Sequence, residues 1–151
     1  MSFIIKGSAG VVIDQAGIEL AKTTATVLAI GDILQRDTAN NYLERATSSA
    51  APSDANTGLF GICQSVEAAT GATCRVVPLI HGMLLEADLA NNSSIAHNLQ
   101  RMVLTDHDTL NNNGTDSTAN EGVFLQLAPI GDATDKKALV MYVGCGNQVN
   151  A

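Results

Sequence analysis

Apolar and polar positions alternate along this chain in short blocks. From Arg101 the sequence runs Met-Val-Leu-Thr, then a long polar stretch at 106–120. An apolar segment follows at 121–129, then a short loop at 131–137 and a last apolar segment at 138–143. This reads as strand, loop, strand, loop, strand, a β scaffold with projecting loops. Upstream, 33–36 and 42–46 flank Asp37-Thr-Ala-Asn-Asn41, a hairpin signal. Residues 47–57, rich in Ser, Ala, Pro and Asn, read as a surface loop. Strands are expected at 59–65, 73–80 and 83–87, with a turn at 67–71 and a change of direction at Gly82. Pro78 places its strand at a sheet edge or marks a break, because proline cannot donate to the ladder. Residues 88–100 are polar, and Ser93 or Ser94 is positioned to cap a short helix reaching Gln100.

The first thirty residues are small and β-branched. Phe3-Ile-Ile5, Gly7-Ser-Ala-Gly10 and Val11-Val-Ile13 suggest an extended arm or edge strand, and 18–25 a weak helical turn. Turn signals recur at intervals of roughly 8–15 residues and long amphipathic helices are missing. The expected fold is therefore mainly β, a barrel or sandwich with at most one or two short helices. Residues 1–25 form an N-terminal arm or edge segment, and 26–151 the barrel-like domain.

Composition changes the picture in two ways. The chain has 151 residues, 46% of them apolar, enough for a core without metal or disulfide support. Aromatic residues are only 3% and Trp is absent, so the core is aliphatic and thin. A thin core favours association, which predicts an oligomer or a docked subunit. The formal net charge is −7, and among eight basic residues only Lys136 and Lys137 are adjacent. Nucleic acid and anionic membranes both require clustered cations, so neither is an expected partner. No apolar run approaches the ~20 residues of a membrane span. The apolar patch within 1–12 is too short for a secretion signal.

Candidate chemistry is sparse. Cys63, Cys74 and Cys145 show no zinc spacing and read as buried small hydrophobes; Cys63 and Cys74 come close if their strands pair. Asp106-His-Asp108 followed by Asn111-Asn-Asn-Gly114-Thr-Asp116 is rich in oxygen donors. With Gly114 as the glycine of a calcium loop, however, Thr109 and Asn120 fall where Asp and a bidentate Glu belong. A solvated loop held by Asx turns is the better reading. His81, His97 and His107 have no metal spacing. Glu86 and Asp88 fall on one face of a strand, where carboxylates serve glycosidases if held about 5 to 9 Å apart, but more often simply face solvent. Neither a nucleophile elbow nor a phosphate loop is present, and nothing helical follows Gly144-Cys-Gly146. The glycosylation patterns starting at Asn91, Asn92 and Asn113 read as polar loops. No cofactor is expected, and a hydrolase or metal enzyme built on Glu86, Asp88 and His107 is the least favoured class.

Several stretches together resemble the small head-decoration (cement) proteins of tailed bacteriophages. They are Gly31-Asp-Ile-Leu34, the loop at 46–57, Gly61-Ile62, Arg75-Val-Val-Pro-Leu79, Glu86-Ala-Asp88 and Asn91-Asn92. Gln100-Arg-Met-Val-Leu-Thr-Asp106, Asn112-Asn-Gly-Thr-Asp116, Val123-Phe124 and 131–140 with Asp135-Lys-Lys137 complete the set. The resemblance covers roughly 26–143 and is one of strands and turns, not of a catalytic signature. It implies a β-barrel or β-tulip module on the outer surface of the virion capsid, made in the host cytoplasm. Such modules bridge neighbouring major capsid proteins, commonly as homotrimers and sometimes as dimers, and carry no catalytic residues. The family's N-terminal arm often lies along the capsid, a role that Phe3, Ile4, Ile5, Val11, Val12 and Ile13 suit by composition. Ser53, Asp54, Asn56, Asn111, Asn112, Asn113 and Asp116 are the expected exposed loop residues. The alternative is a virion-surface module whose loops at 47–57 and 106–120 recognise a host glycan. Against it stands the scarcity of rings, with Tyr42 and Tyr142 the two hydroxylated ones.

Overall fold

The computed structural model describes residues 3–8, 17–21, 27–36, 42–46, 59–66, 72–112 and 123–144. Among them are eleven strands: β1 (Ile4–Ser8), β2 (Ile18–Ala21), β3 (Ile33–Arg36), β4 (Leu43–Arg45), β5 (Leu59–Cys63), β6 (Thr73–Pro78), β7 (Met83–Leu89), β8 (Arg101–Asp106), β9 (Thr109–Asn111), β10 (Phe124–Ile130) and β11 (Lys137–Tyr142). Among the described residues, helical content is limited to 3-10 turns at Ile95–His97 and Ala133–Asp135. The fold is mainly β, a small closed five-stranded barrel with a second sheet. Among the described residues no helix is long and apolar enough to cross a membrane.

The barrel runs β7-β11-β10-β8-β9 and closes where β9 pairs in parallel with β7, Asp88 against Thr109 and Leu89 against Leu110. The other pairings around the ring are antiparallel. Strand alternation builds its interior. In β7, Met83, Leu85, Ala87 and Leu89 are buried while Leu84, Glu86 and Asp88 face outward. Met102 and Leu104, Leu110, Phe124, and Ala138 and Val140 complete the lining from β8, β9, β10 and β11. β1 pairs with the first half of β7, on the strand edge that β9 occupies further along. A bulge between Ile5 and Gly7 interrupts this pairing.

The second sheet is antiparallel in the order β2-β6-β5-β3-β4. Both its faces are apolar. Ile33, Ile62 and Val77 join the barrel core, whereas Leu34, Cys63, Cys74 and Val76 form a second cluster with Leu28 and Leu43. Rings are concentrated rather than absent from the core. Phe124 lies 5.3 Å from Phe3 and 5.6 Å from Tyr142, centroid to centroid.

Several local expectations change. Ile18–Ala21 is a strand rather than the start of a helical turn, because β6 offers it a ladder. β6 is interior, lying between β2 and β5. Pro78 is tolerated because it ends the strand, beyond the last β2 partner at Val76. The polar loop after β8 contains β9, which pairs back on β8 and closes the barrel on β7. The β3–β4 hairpin forms as expected, and Ser94 caps the turn at Ile95–His97 by accepting from the Ala96 N–H.

Gly61 marks the tightest approach between β5 and β6. A Cβ there would lie 2.5 Å from Val76 Cγ1 and 2.6 Å from the Val77 carbonyl oxygen. Gly61→Ala should therefore cost about 1–3 kcal/mol, measured as a lower urea midpoint at unchanged m-value. An unchanged midpoint would contradict this packing.

Candidate functional site

One group of charged side chains meets where the barrel touches the second sheet. The turn ending at Gly31, whose φ is 93°, delivers Asp32 to the start of β3. The Asp32 carboxylate is buried; its Oδ2 accepts from the Ala29 N–H at 2.9 Å and from Arg45 Nε at 2.8 Å. Arg45 reaches it from β4, the strand paired with β3. From the barrel comes His107, in the tight turn between β8 and β9. Its Nε2 lies 3.7 Å from Asp32 Oδ1 and 3.9 Å from Asp108 Oδ2. Its carbonyl accepts from the Ile33 N–H at 2.7 Å, so main chain as well as side chain joins the two sheets.

His107 is also tied to its neighbour. Asp106 Oδ1 accepts from the His107 backbone N–H at 2.7 Å and stands 2.6 Å from ring Nδ1. The backbone donor first, and the ring second, hold the Asp106 carboxyl below its ordinary range. Donor atoms of Asp106, His107 and Asp108 lie within 4.8 Å of one another, making them the described group able to hold a cation. Asp106 is engaged with the imidazole and Asp108 accepts from Thr109 Oγ1 at 2.8 Å. What this arrangement does with the groups in hand is lock a turn and join two sheets.

The remaining candidates are dispersed. Glu86 and Asp88 do share the outward face of β7. Glu86 is bracketed by Lys6 Nζ at 3.1 Å and Lys137 Nζ at 3.4 Å. The hydrogen bond from Lys6, and secondarily Lys137, lowers its pKa against the opposing effect of burial. A glycosidase acid requires the opposite shift, so Glu86 is unsuited to that role. His81 lies exposed in the β6–β7 turn with Nδ1 3.1 Å from the Val143 carbonyl, and His97 ends the first 3-10 turn. The three histidines thus occupy three separate turns. Cys63 and Cys74 form no disulfide; both are buried and in hydrogen-bond contact across paired strands. Desolvation pushes the Cys63 thiol up, which disfavours the reactive thiolate.

The expected contact residues fare unevenly. Phe3 is buried in the barrel core, not displayed; Ile5 packs against that core, and Ile4 is exposed. Val11, Val12, Ile13, Ser53, Asp54, Asn56, Asn113 and Asp116 lie outside the described residues. Asn111 is half-buried within β9. Asn112 is buried instead of exposed. Its Oδ1 accepts from the Asn91 N–H at 2.9 Å, and its Nδ2 donates to the carbonyls of Asn91 and Asn92. It pins the start of the 91–100 loop.

That loop carries a feature the polar reading of 88–100 missed. Ile95 and Leu99 are 76% and 73% exposed, the most exposed large apolar side chains among the described residues. Leu99 has φ 65°, unusual for a bulky residue and a mark of stored strain. The available signal was two large aliphatics four residues apart within a run of Asn, Ser, His and Gln.

Two outcomes follow. Arg45→Met strips Asp32 of its charged donor and should lower stability by about 1.5–3 kcal/mol in urea denaturation. Asp32→Asn added to that variant should recover part of the loss, as a double-mutant cycle reads directly. Glu86 has a lowered folded pKa, so its contribution is complete above the unfolded glutamate value of about 4.3. That contribution is lost as pH falls through the folded value. Glu86→Gln should therefore flatten the loss of stability between about pH 5 and 3; a slope equal to wild type would refute the Lys6–Glu86–Lys137 bracket.

Compared with known proteins, the chain matches no protein-family model, no curated sequence and no solved structure.

Proposed function

We propose that this chain is a capsid decoration protein, which binds the outside of an expanded bacteriophage head and bridges neighbouring major capsid proteins. The observation that carries the reading is a division of labour on the surface. Asp32 with Arg45, Asp106 with His107, and Glu86 with Lys6 and Lys137 are engaged with each other in intramolecular pairs. Ile95 and Leu99 are presented to solvent on a loop anchored by Asn112. Apolar side chains held out on a rigid scaffold support docking, and an acidic chain of net charge −7 suits a surface away from packaged nucleic acid. The resemblance in strands and turns over 26–143 points the same way, and with it comes a β-tulip-like module acting as a homotrimer.

Binding alone performs such a function. A partner that binds only the intact shell stabilises it by RT ln(1 + [L]/Kd), about 2.7 kcal/mol at a hundredfold excess over Kd. Several contacts per oligomer raise the effective concentration further, so each one needs only about 1,200–2,000 Å².

The test is to mix purified chain with bare expanded heads and to measure co-sedimentation and the heads' thermal tolerance. Binding with raised tolerance is expected, together with a trimeric mass in analytical ultracentrifugation; heads that neither bind nor gain tolerance would end the reading. Ile95→Asp with Leu99→Asp should weaken binding by about tenfold or more while leaving the circular dichroism spectrum intact. Because Phe3 belongs to the core, deleting 1–13 should damage folding as well as docking. Ile4→Glu is the substitution that examines this segment's exposed face alone.

A further inference from the structure

Gln126 occupies an inward position of β10, two residues after Phe124, and is completely buried. A polar side chain inside an aliphatic barrel needs partners for both ends of its amide. Its Nε2 donates to the Ser94 carbonyl at 2.8 Å and to Asn98 Oδ1 at 2.9 Å, which fixes the amide's orientation. Its Oε1 then faces the protein without a donor. Two further buried polar atoms are unpartnered, Ser93 Oγ and His97 Nδ1. Each belongs to the residue immediately before one of the two Gln126 acceptors. The His97 backbone N–H also donates to the Ser94 carbonyl, at 3.1 Å, so His97 and the Gln126 amide converge on one oxygen. The loop's main chain encloses the same place, with Leu99 N–H donating to the Gln126 carbonyl and Gln126 N–H to that of Gln100.

We propose that the base of the 93–100 loop is a binding site for a single internal water molecule held by Gln126, Ser93 and His97. Donor and acceptor numbers close. The water donates one proton to Gln126 Oε1 and one to His97 Nδ1, and accepts from the Ser93 hydroxyl. The imidazole proton is then on Nε2. Three hydrogen bonds are the usual complement of a buried water, and three orphaned polar atoms become satisfied at once. The occupant is polar, because the unpartnered groups comprise a carbonyl oxygen, a hydroxyl and an imidazole nitrogen. This water clamps the far end of the loop as Asn112 clamps its start, and so holds Ile95, Leu99 and the left-handed backbone at Leu99 in place. The site stands independently of what the loop contacts.

Water-to-amide NOE spectroscopy on the full chain tests it. A long-lived water should give cross-peaks at the amides of His97, Asn98 and Leu99. Ser93→Ala and Ser94→Ala, made separately, each remove one hydroxyl able to relay exchange and leave the water its bonds to Gln126 and His97, so cross-peaks that survive in both come from bound water. Gln126→Leu should abolish them and speed hydrogen exchange of the Asn98 and Leu99 amides by about tenfold or more, with β7 amides unchanged. Loss of the cross-peaks in either serine variant, or their absence from wild type, overturns the proposal. Should Gln126→Leu fail to fold, wild type and the two serine variants decide between the outcomes. A crystal structure showing Ser93 Oγ bonded directly to Gln126 Oε1 would overturn it equally.

Discussion

Two residues of β9 close the ring. Their parallel pairing with Asp88 and Leu89 turns an open sheet into a barrel and leaves β7 without an exposed edge at that point. The same step brings Leu89 and Leu110 into the core. It also sets the direction of the tight turn that precedes β9, and therefore the position of His107 against β3. The barrel's closure and its attachment to the second sheet are one event. A long polar loop can contribute to a core when three of its residues, Thr109–Asn111, are captured this way. Propensity plays little part, since Thr-Leu-Asn is an indifferent strand sequence and the partner supplies the ladder.

An aromatic-poor chain must obtain its core from arrangement. Here Phe3, Phe124 and Tyr142 are gathered into one cluster, Phe3 tilted and Tyr142 edge-on against Phe124. Phe3 reaches that cluster because its N–H is held by the Gly31 carbonyl at 3.1 Å, which ties the start of β1 to the second sheet. The second sheet is used on both faces. Leu34 and Cys63 face one cluster while their neighbours Ile33 and Ile62 face the other. Small and β-branched residues suit such double-faced strands, because two apolar layers must fit without rings.

Local pattern made part of this legible. The alternation in β7, the β3–β4 hairpin, the strands on either side of the 131–137 loop and the Ser94 cap all express signals within about ten residues. What escaped depends on distant partners. Ile18–Ala21 carries too few residues to separate helix from strand, and β6 decides. Asn112 looks like one more loop amide until Asn91 and Asn92 are seen to require its three bonds. Asp32, Arg45 and His107 are widely separated in sequence, and each alone has an ordinary surface reading. Phe3 resembled arm material because the segment around it is small and β-branched, yet it is among the best-buried rings.

A few groups depart from the usual distribution of polar outside and apolar inside. Asp32 is buried, which is costly for a carboxylate unless donors surround it, and Arg45 and the Ala29 N–H supply them. Gln126 is buried for a comparable reason, as its amide binds the loop that crosses over it. Each inward polar group therefore holds a specific segment in one register, something interchangeable aliphatic contacts do poorly. The aliphatic residues displaced outward, Ile95 and Leu99, sit on the very segment that Gln126 holds. A rigid base under exposed apolar side chains lowers the ordering cost of whatever contact they make. The buried polar atoms and the exposed apolar ones are thus two halves of a single arrangement, the first making the second usable.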